Sequence, residues 1–123
     1  MPMLSVWYFR TAILFLIAGI CVGLYMSITH QFEPTGAHAH INLLGWVTMS
    51  IFGIYYALNP VQAASRIAKI QYIVYTLGIL VMGPSLFLML IGNPALEPVV
   101  AVSSLVTFAG VLLFAVILFT RKA

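Results

Sequence analysis

Charge is what this sequence has least of. Only 6% of its residues are Asp, Glu, Lys or Arg, against about 25% in a soluble domain. A surface so poor in charge cannot be wetted, so the solvent for most of the chain is lipid. The basic residues are few and sit at the ends of apolar runs, which excludes a nucleic-acid partner. The acidic residues are fewer still: Glu33 and Glu97, both between apolar runs. No carboxylate therefore lies within a span, and a proton-coupled exporter of similar size needs one there. The one cysteine, Cys21, excludes an internal disulfide. Placed in an apolar run, it reads as a small buried hydrophobe.

What fills the chain instead is hydrocarbon, 63% of all residues. It falls into four runs, about 7–30, 38–59, 69–92 and 98–120, each with the roughly 20 residues a helix needs to cross a bilayer. Thr11 to Thr29 is too long for the 7–15-residue core of a signal peptide and reads as a retained span. Helices are forced, because in lipid the backbone must satisfy its own polar groups. Short connectors carrying Pro34, Gly36, Pro60, Pro94 and Pro98 predict an all-α, up-down four-helix bundle that occupies residues 1–123 as one transmembrane domain. Pro84 is expected to kink the third span. Trp7, Tyr8, Tyr55, Tyr56, Tyr72 and Tyr75 cluster toward the cytoplasmic end and read as an interfacial belt.

Arg10, Arg66, Lys69, Arg121 and Lys122 all fall on one side of such a bundle, and Glu33 and Glu97 on the other. The positive-inside rule then predicts cytoplasmic N- and C-termini. In a bacterial inner membrane, the setting expected here, the acidic connectors then face the periplasm.

Against this apolar background the three histidines stand out. His38 and His40 open the second run and His30 closes the first, so all three are expected near one membrane face. Polar groups at membrane depth are costly and usually functional, and imidazole ligates iron, copper and zinc. A symmetric first turn would set His30 opposite His38, Met26 opposite Asn42, Gly23 opposite Gly45 and Gly19 opposite Met49. Gly19, Gly23, Met26 and His30 share one stripe by helical spacing, as do His38, Asn42, Gly45, Met49 and Gly53. The small residues either serve close helix packing, through Gly19-x-x-x-Gly23, or leave room for a flat ligand edged by histidine. His38 and His40 point about 200° apart at 100° per residue. They cannot share one site on a regular helix. His40 shares its face with Leu44, Val47 and Ile51, a surface for lipid or a neighbouring helix.

The stretch Ala37-His38-Ala39-His40-Ile41-Asn42-Leu43-Leu44-Gly45-Trp46-Val47 resembles the second helix of subunit I in the haem-copper oxidase superfamily. That superfamily includes cytochrome c oxidases and nitric oxide reductases. The stretch is also similar to short four-span bacterial membrane proteins described as subunit I-like. In the large enzymes the histidine of this helix is an axial ligand of a low-spin haem; His38 and His40 each match its pattern in part. The resemblance covers residues 36–60. The large subunit takes its second low-spin ligand and its copper-binding histidines from later helices, and here no histidine follows His40.

The resemblance implies a b-type haem held by the second span, with His30 or Met26 opposite or one coordination position open. The implied function is electron transfer, or binding of a diatomic gas such as oxygen or nitric oxide. Its partners would be the lipid bilayer, a second copy of the chain and a respiratory electron donor. Two alternatives remain: a copper or zinc site made from His30, His38 and His40, and a cofactor-free accessory or assembly subunit of a respiratory complex.

Overall fold

The computed structural model describes residues 1–120, in which helices joined by short turns are the only regular structure. Arg121 and Lys122, which contributed to the charge argument, lie outside the described residues. Four helices are long and apolar enough to cross a membrane: α1 (Met3–Thr29), α2 (Thr35–Leu58), α3 (Arg66–Leu90) and α4 (Pro94–Thr120). At 24 to 27 residues and 1.5 Å per residue, each exceeds the roughly 30 Å of bilayer hydrocarbon.

The ends follow local chemistry. His30 stops α1 by adopting a left-handed conformation, φ 55°, the usual way a helix is closed. Pro34 precedes the first turn of α2, and the His38 amide already bonds back to the Pro34 carbonyl at 3.0 Å. The helix therefore begins at Thr35, and Gly36 and Ala37, expected in the connector, are its first turn. Ser65 caps α3 by accepting from the Ala68 amide at 3.2 Å. A short helical turn, Pro60–Ala63, fills the preceding connector. α3 runs unbroken through Pro84. Proline has no N–H, so the Leu80 carbonyl one turn earlier loses its helical donor.

Outward faces are apolar, with Leu14, Ile28, Leu43, Ile51, Val102 and Leu105 all more than half exposed. Such a surface in water would be an aggregation site; in lipid it is the solvated face. Cys21, expected inside, is on this exposed surface.

The interior at one end is a polar knot. Tyr8, Tyr56, Tyr75 and Gln71 are fully buried at 0% exposure. The Tyr8 hydroxyl donates to Gln71 Oε1, and the Tyr56 hydroxyl donates to the same oxygen at 3.1 Å. Gln71 Nε2 donates to the Gly110 carbonyl at 3.2 Å. One side chain thus joins α1, α2, α3 and α4. The Ser5 hydroxyl adds a bond to the Gly53 carbonyl at 3.0 Å. Rings pack around the knot: Tyr8 against Tyr56 at 5.8 Å, Phe52 against Phe114 at 4.4 Å and Tyr72 against Tyr8 at 4.8 Å. The interfacial belt expected of these aromatics is corrected here. Tyr8, Tyr56 and Tyr75 are core, because each hydroxyl finds a partner inside: Gln71 for the first two and the Leu44 carbonyl for Tyr75.

α3 and α4 are pressed together along small residues. A Cβ on Gly78 would lie 2.6 Å from the Thr107 amide nitrogen, and one on Gly110 would lie 2.8 Å from the Tyr75 Cα. Away from the knot α1 and α3 separate, while α1 and α2 stay close. An apolar cleft of about 580 Å³ opens between α1 and α3, and one of about 230 Å³ lies between α2, α3 and α4.

Gln71→Met keeps the side chain's bulk and removes three hydrogen bonds. Interhelical bonds in membranes are worth about 0.6 kcal/mol each, and stranded buried hydroxyls cost more. The variant is expected to lose about 2–3 kcal/mol of stability in unfolding titrations with denaturing detergent; a loss below about 0.5 kcal/mol would remove the knot from its central place.

Candidate functional site

The polar residues at the other end of α2 are held against α1 by missing side chains. A Cβ on Gly23 would lie 3.1 Å from His38 Cε1, and one on Gly19 would lie 2.7 Å from Asn42 Cγ. Gly45 meets Phe15 in the same way, at 2.7 Å from its Cβ. So the stripe His38, Asn42, Gly45 and Gly53 on α2 does face α1, as spacing predicted. The register, however, differs by about two turns (3.6 residues each) from the symmetric-turn expectation. Gly19 lies opposite Asn42 rather than Met49, and Gly23 opposite His38 rather than Gly45. The connector turns close to His30, at the end of α1, and α2 starts early, so residues nearer the chain start meet each α2 position. The room over Gly19 and Gly23 is taken by the chain's own amide and imidazole.

His38 is half-buried in this seam, and its Nδ1 lies 2.8 Å from the Gly19 carbonyl oxygen. A carbonyl only accepts, so Nδ1 carries the proton and donates. The neutral ring then has its lone pair on Nε2. Asn42 Nδ2 donates to the His38 carbonyl at 3.0 Å and sits 3.4 Å from His38 Nε2. The amide thus stands against the ring and fixes its orientation.

His40 lies on another face. Its Nδ1 donates to the Gly36 carbonyl at 2.7 Å, which again leaves the lone pair on Nε2. The ring borders the cavity of about 230 Å³ together with Leu44, Met82, Ser104 and Thr107. His30 is exposed at the left-handed end of α1. Met26 is buried at 7% exposure, with its sulfur 3.6 Å from the Thr35 hydroxyl oxygen, whose proton goes to the Phe32 carbonyl. The structure therefore brings together His38, Asn42, Gly19 and Gly23. His30 and His40 stand apart from them. Among the described residues no group of three or more His, Cys, Asp or Glu side chains could hold a metal ion.

Spacing did not reveal that Ile41–Val47 is a π-helix. This wide coil follows directly on both α2 histidines. Its carbonyls are bonded to later amides than in an α-helix, which leaves acceptors to satisfy. Side chains supply donors: Asn42 Nδ2 to the His38 carbonyl, the Thr48 hydroxyl to the Leu43 carbonyl at 2.7 Å, and the Tyr75 hydroxyl to the Leu44 carbonyl at 2.6 Å. Such segments cost regular hydrogen bonding and occur often at functional sites. Phe15, Thr48 and Tyr75 thus belong to the site. Gly45, mid-helix and facing Phe15, was the one available signal.

No protein-family model, curated protein or solved structure matches the chain.

Gly19→Ala would drive a methyl group into Asn42. Overpacking of this kind costs about 1–3 kcal/mol, read as a lower midpoint in detergent unfolding. Adding Asn42→Ala is expected to restore most of the loss. Equal damage in the single and double variants would show that the α1–α2 seam is not what Gly19 protects.

Proposed function

We propose that this chain is a multi-pass membrane protein that holds a b-type haem through His38 and serves electron transfer or binding of a diatomic gas. The observation that carries the reading is the His38 ring itself. It is half-buried, its Nδ1–H is committed to the Gly19 carbonyl at 2.8 Å, and Nε2 is the basic nitrogen, with the Asn42 amide nitrogen 3.4 Å from it to be displaced by a ligated metal. Ligating histidines are held in this way, with the second nitrogen donating to a carbonyl that sets tautomer and ring angle. The adjoining π-helix and the resemblance of Ala37–Val47 to the haem-ligating helix of subunit I support the same assignment.

The donor chemistry fits a haem, whose iron His38 would hold. Haem iron bound there would supply one-electron exchange, or a coordination site for gas. This chain's residues do the rest. Gly19 and Asn42 hold the ring, and Phe15 against Gly45 keeps α1 on α2. As a second ligand the described residues would offer Met26 or His30 only after movement, since Met26 is buried and His30 is exposed. No Lys or Arg lies near the acidic connectors to pair with propionates. Both gaps point to a homo-oligomer, in which a second copy completes the enclosure. The charge pattern supports an up-down bundle in a bacterial inner membrane, with both termini cytoplasmic and His38 toward the periplasm.

A second reading has its own observation. His40 and Met82 border one cavity, and an imidazole with a thioether is a soft donor pair suited to copper(I). In that reading the protein handles copper for a respiratory complex.

Visible spectra of detergent-purified protein, oxidised and then dithionite-reduced, separate the readings. A Soret band that disappears in His38→Ala, with an unchanged helical circular dichroism spectrum, is the expected result. A colourless protein after growth with ample haem would end the haem assignment. Copper retained by the wild type and lost in His40→Ala would put the second reading in its place.

A further inference from the structure

We propose that the far ends of α2 and α3, away from the knot, form one moving body. It swings about a shared hinge, made of the π-helix Ile41–Val47 and the Gly83-Pro84 pair, and so opens the α1–α2 seam at His38. As a movement this stands on the helices alone; as the way a haem reaches His38 it rests on the reading above.

The closed seam leaves no space for a macrocycle. A Cβ on Gly23 would already lie 3.1 Å from His38 Cε1, and the Asn42 amide nitrogen lies 3.4 Å from His38 Nε2. The two helices must part before a flat cofactor reaches that nitrogen. Sharp bends in helices occur at prolines and at π-helical turns. α2 has the π-helix and α3 has Pro84 in its interior. The two are neighbours, since a Cβ on Gly83 would lie 3.3 Å from Ile41 Cγ1. A bend in one helix alone would be resisted by a straight neighbour. Two weak points side by side at one level make a hinge line.

Beyond that line the two ends hold each other. Leu90 packs on Gly36, its Cδ1 3.5 Å from where a Cβ would stand. Residues 35–40 and 85–90 are therefore coupled. On the near side of the line, Gln71 ties all four helices and supplies the fixed frame. There is also room to move. The cleft of about 580 Å³ borders Gly83, Pro84 and Phe87, so the far end of α3 is not packed against protein on that side. Single contacts keep the seam shut. The Phe87 ring lies 5.6 Å from that of Tyr25, and His38 Nδ1 donates to the Gly19 carbonyl at 2.8 Å. An aromatic pair and one interhelical hydrogen bond in lipid are weak latches. His38 belongs to the moving body, Asn42 to the hinge, and Gly19 and Gly23 to α1. A swing away from α1 therefore lifts the imidazole off all three.

The test measures distances by pulsed electron double resonance between nitroxide labels on the full-length, haem-free protein in lipid nanodiscs. Labels go on Ile28→Cys at the end of α1 and Ile91→Cys at the end of α3, both exposed, in a Cys21→Ala background. A main short distance and a minor longer one are expected. Phe87→Ala removes a latch and is expected to shift the ratio about 2- to 10-fold toward the longer distance, the equivalent of one aromatic pair. Pro84→Ala, and separately deletion of Leu43 to return α2 to a regular helix, each remove half of the hinge line. Both are expected to leave the short distance alone, with circular dichroism checking the fold of each variant. Uptake of free hemin is expected to be fastest in Phe87→Ala and slowest in Pro84→Ala, with one final spectrum. A single distance that none of these variants changes would overturn the hinge, even in a protein that binds haem. Shifting distances with equal uptake rates would overturn its role at His38. Distances that shift as expected in a colourless protein would support the hinge and end the haem reading instead.

Discussion

Gln71 is the point on which the four helices meet. Its Oε1 accepts from Tyr8 and Tyr56 and its Nε2 donates to the Gly110 carbonyl, so each of the other three long helices contributes one partner. In lipid there is no hydrophobic force to press helices together, and packing and hydrogen bonds must do it. An amide at 0% exposure with three hydrogen bonds fixes both register and neighbours. The aromatic rings and the glycine contacts at Gly78 and Gly110 then close the helices around it. Because this constraint sits at the end where α1 and α3 begin, the other half of the molecule is free to hold cavities and a less regular helix.

That irregularity lies beside the histidines. The π-helix Ile41–Val47 needs donors from outside its own backbone, and Tyr75 of α3 supplies one. Tyr75 also packs against Phe52, ring centroids 5.0 Å apart, so the knot and the π-helix are mechanically joined. On the other flank, α1 gives up side chains at Gly19 and Gly23 so that Asn42 and His38 can seat. The imidazole is therefore held from two directions, by the α1 backbone and by the Asn42 amide. Holding a ligand ring before any cofactor arrives lowers the ordering cost of binding.

Much of the helical plan was legible in the residues. The near absence of charge required lipid, and run lengths gave four spans whose limits agree with the helices to within a few residues. The α2 stripe facing α1 followed from spacing alone. The register did not. It depends on where the turn closes, and a left-handed His30 in place of the usual glycine carries no sequence signal. The tyrosines misled because an amphipathic ring suits both an interface and a buried site with a partner, and the partner, Gln71, lies far away in sequence. The π-helix was invisible for a related reason: its supporting donors, Thr48 and Tyr75, are ordinary membrane residues until tertiary structure places them. The divergence of His38 and His40 was legible from helical geometry, and they do face different neighbours. The separation of His30 from both required the structure.

His38 Nε2 is the proposed iron ligand, and magnetic resonance on the oxidised protein would read that bond directly. With ¹⁵N-labelled histidine, pulsed electron paramagnetic resonance is predicted to show a strongly coupled histidine nitrogen in the wild type and in His40→Ala and His30→Ala, lost only in His38→Ala. A coupling that survives in His38→Ala, or a spectrum with no haem iron in haem-replete protein, would contradict it.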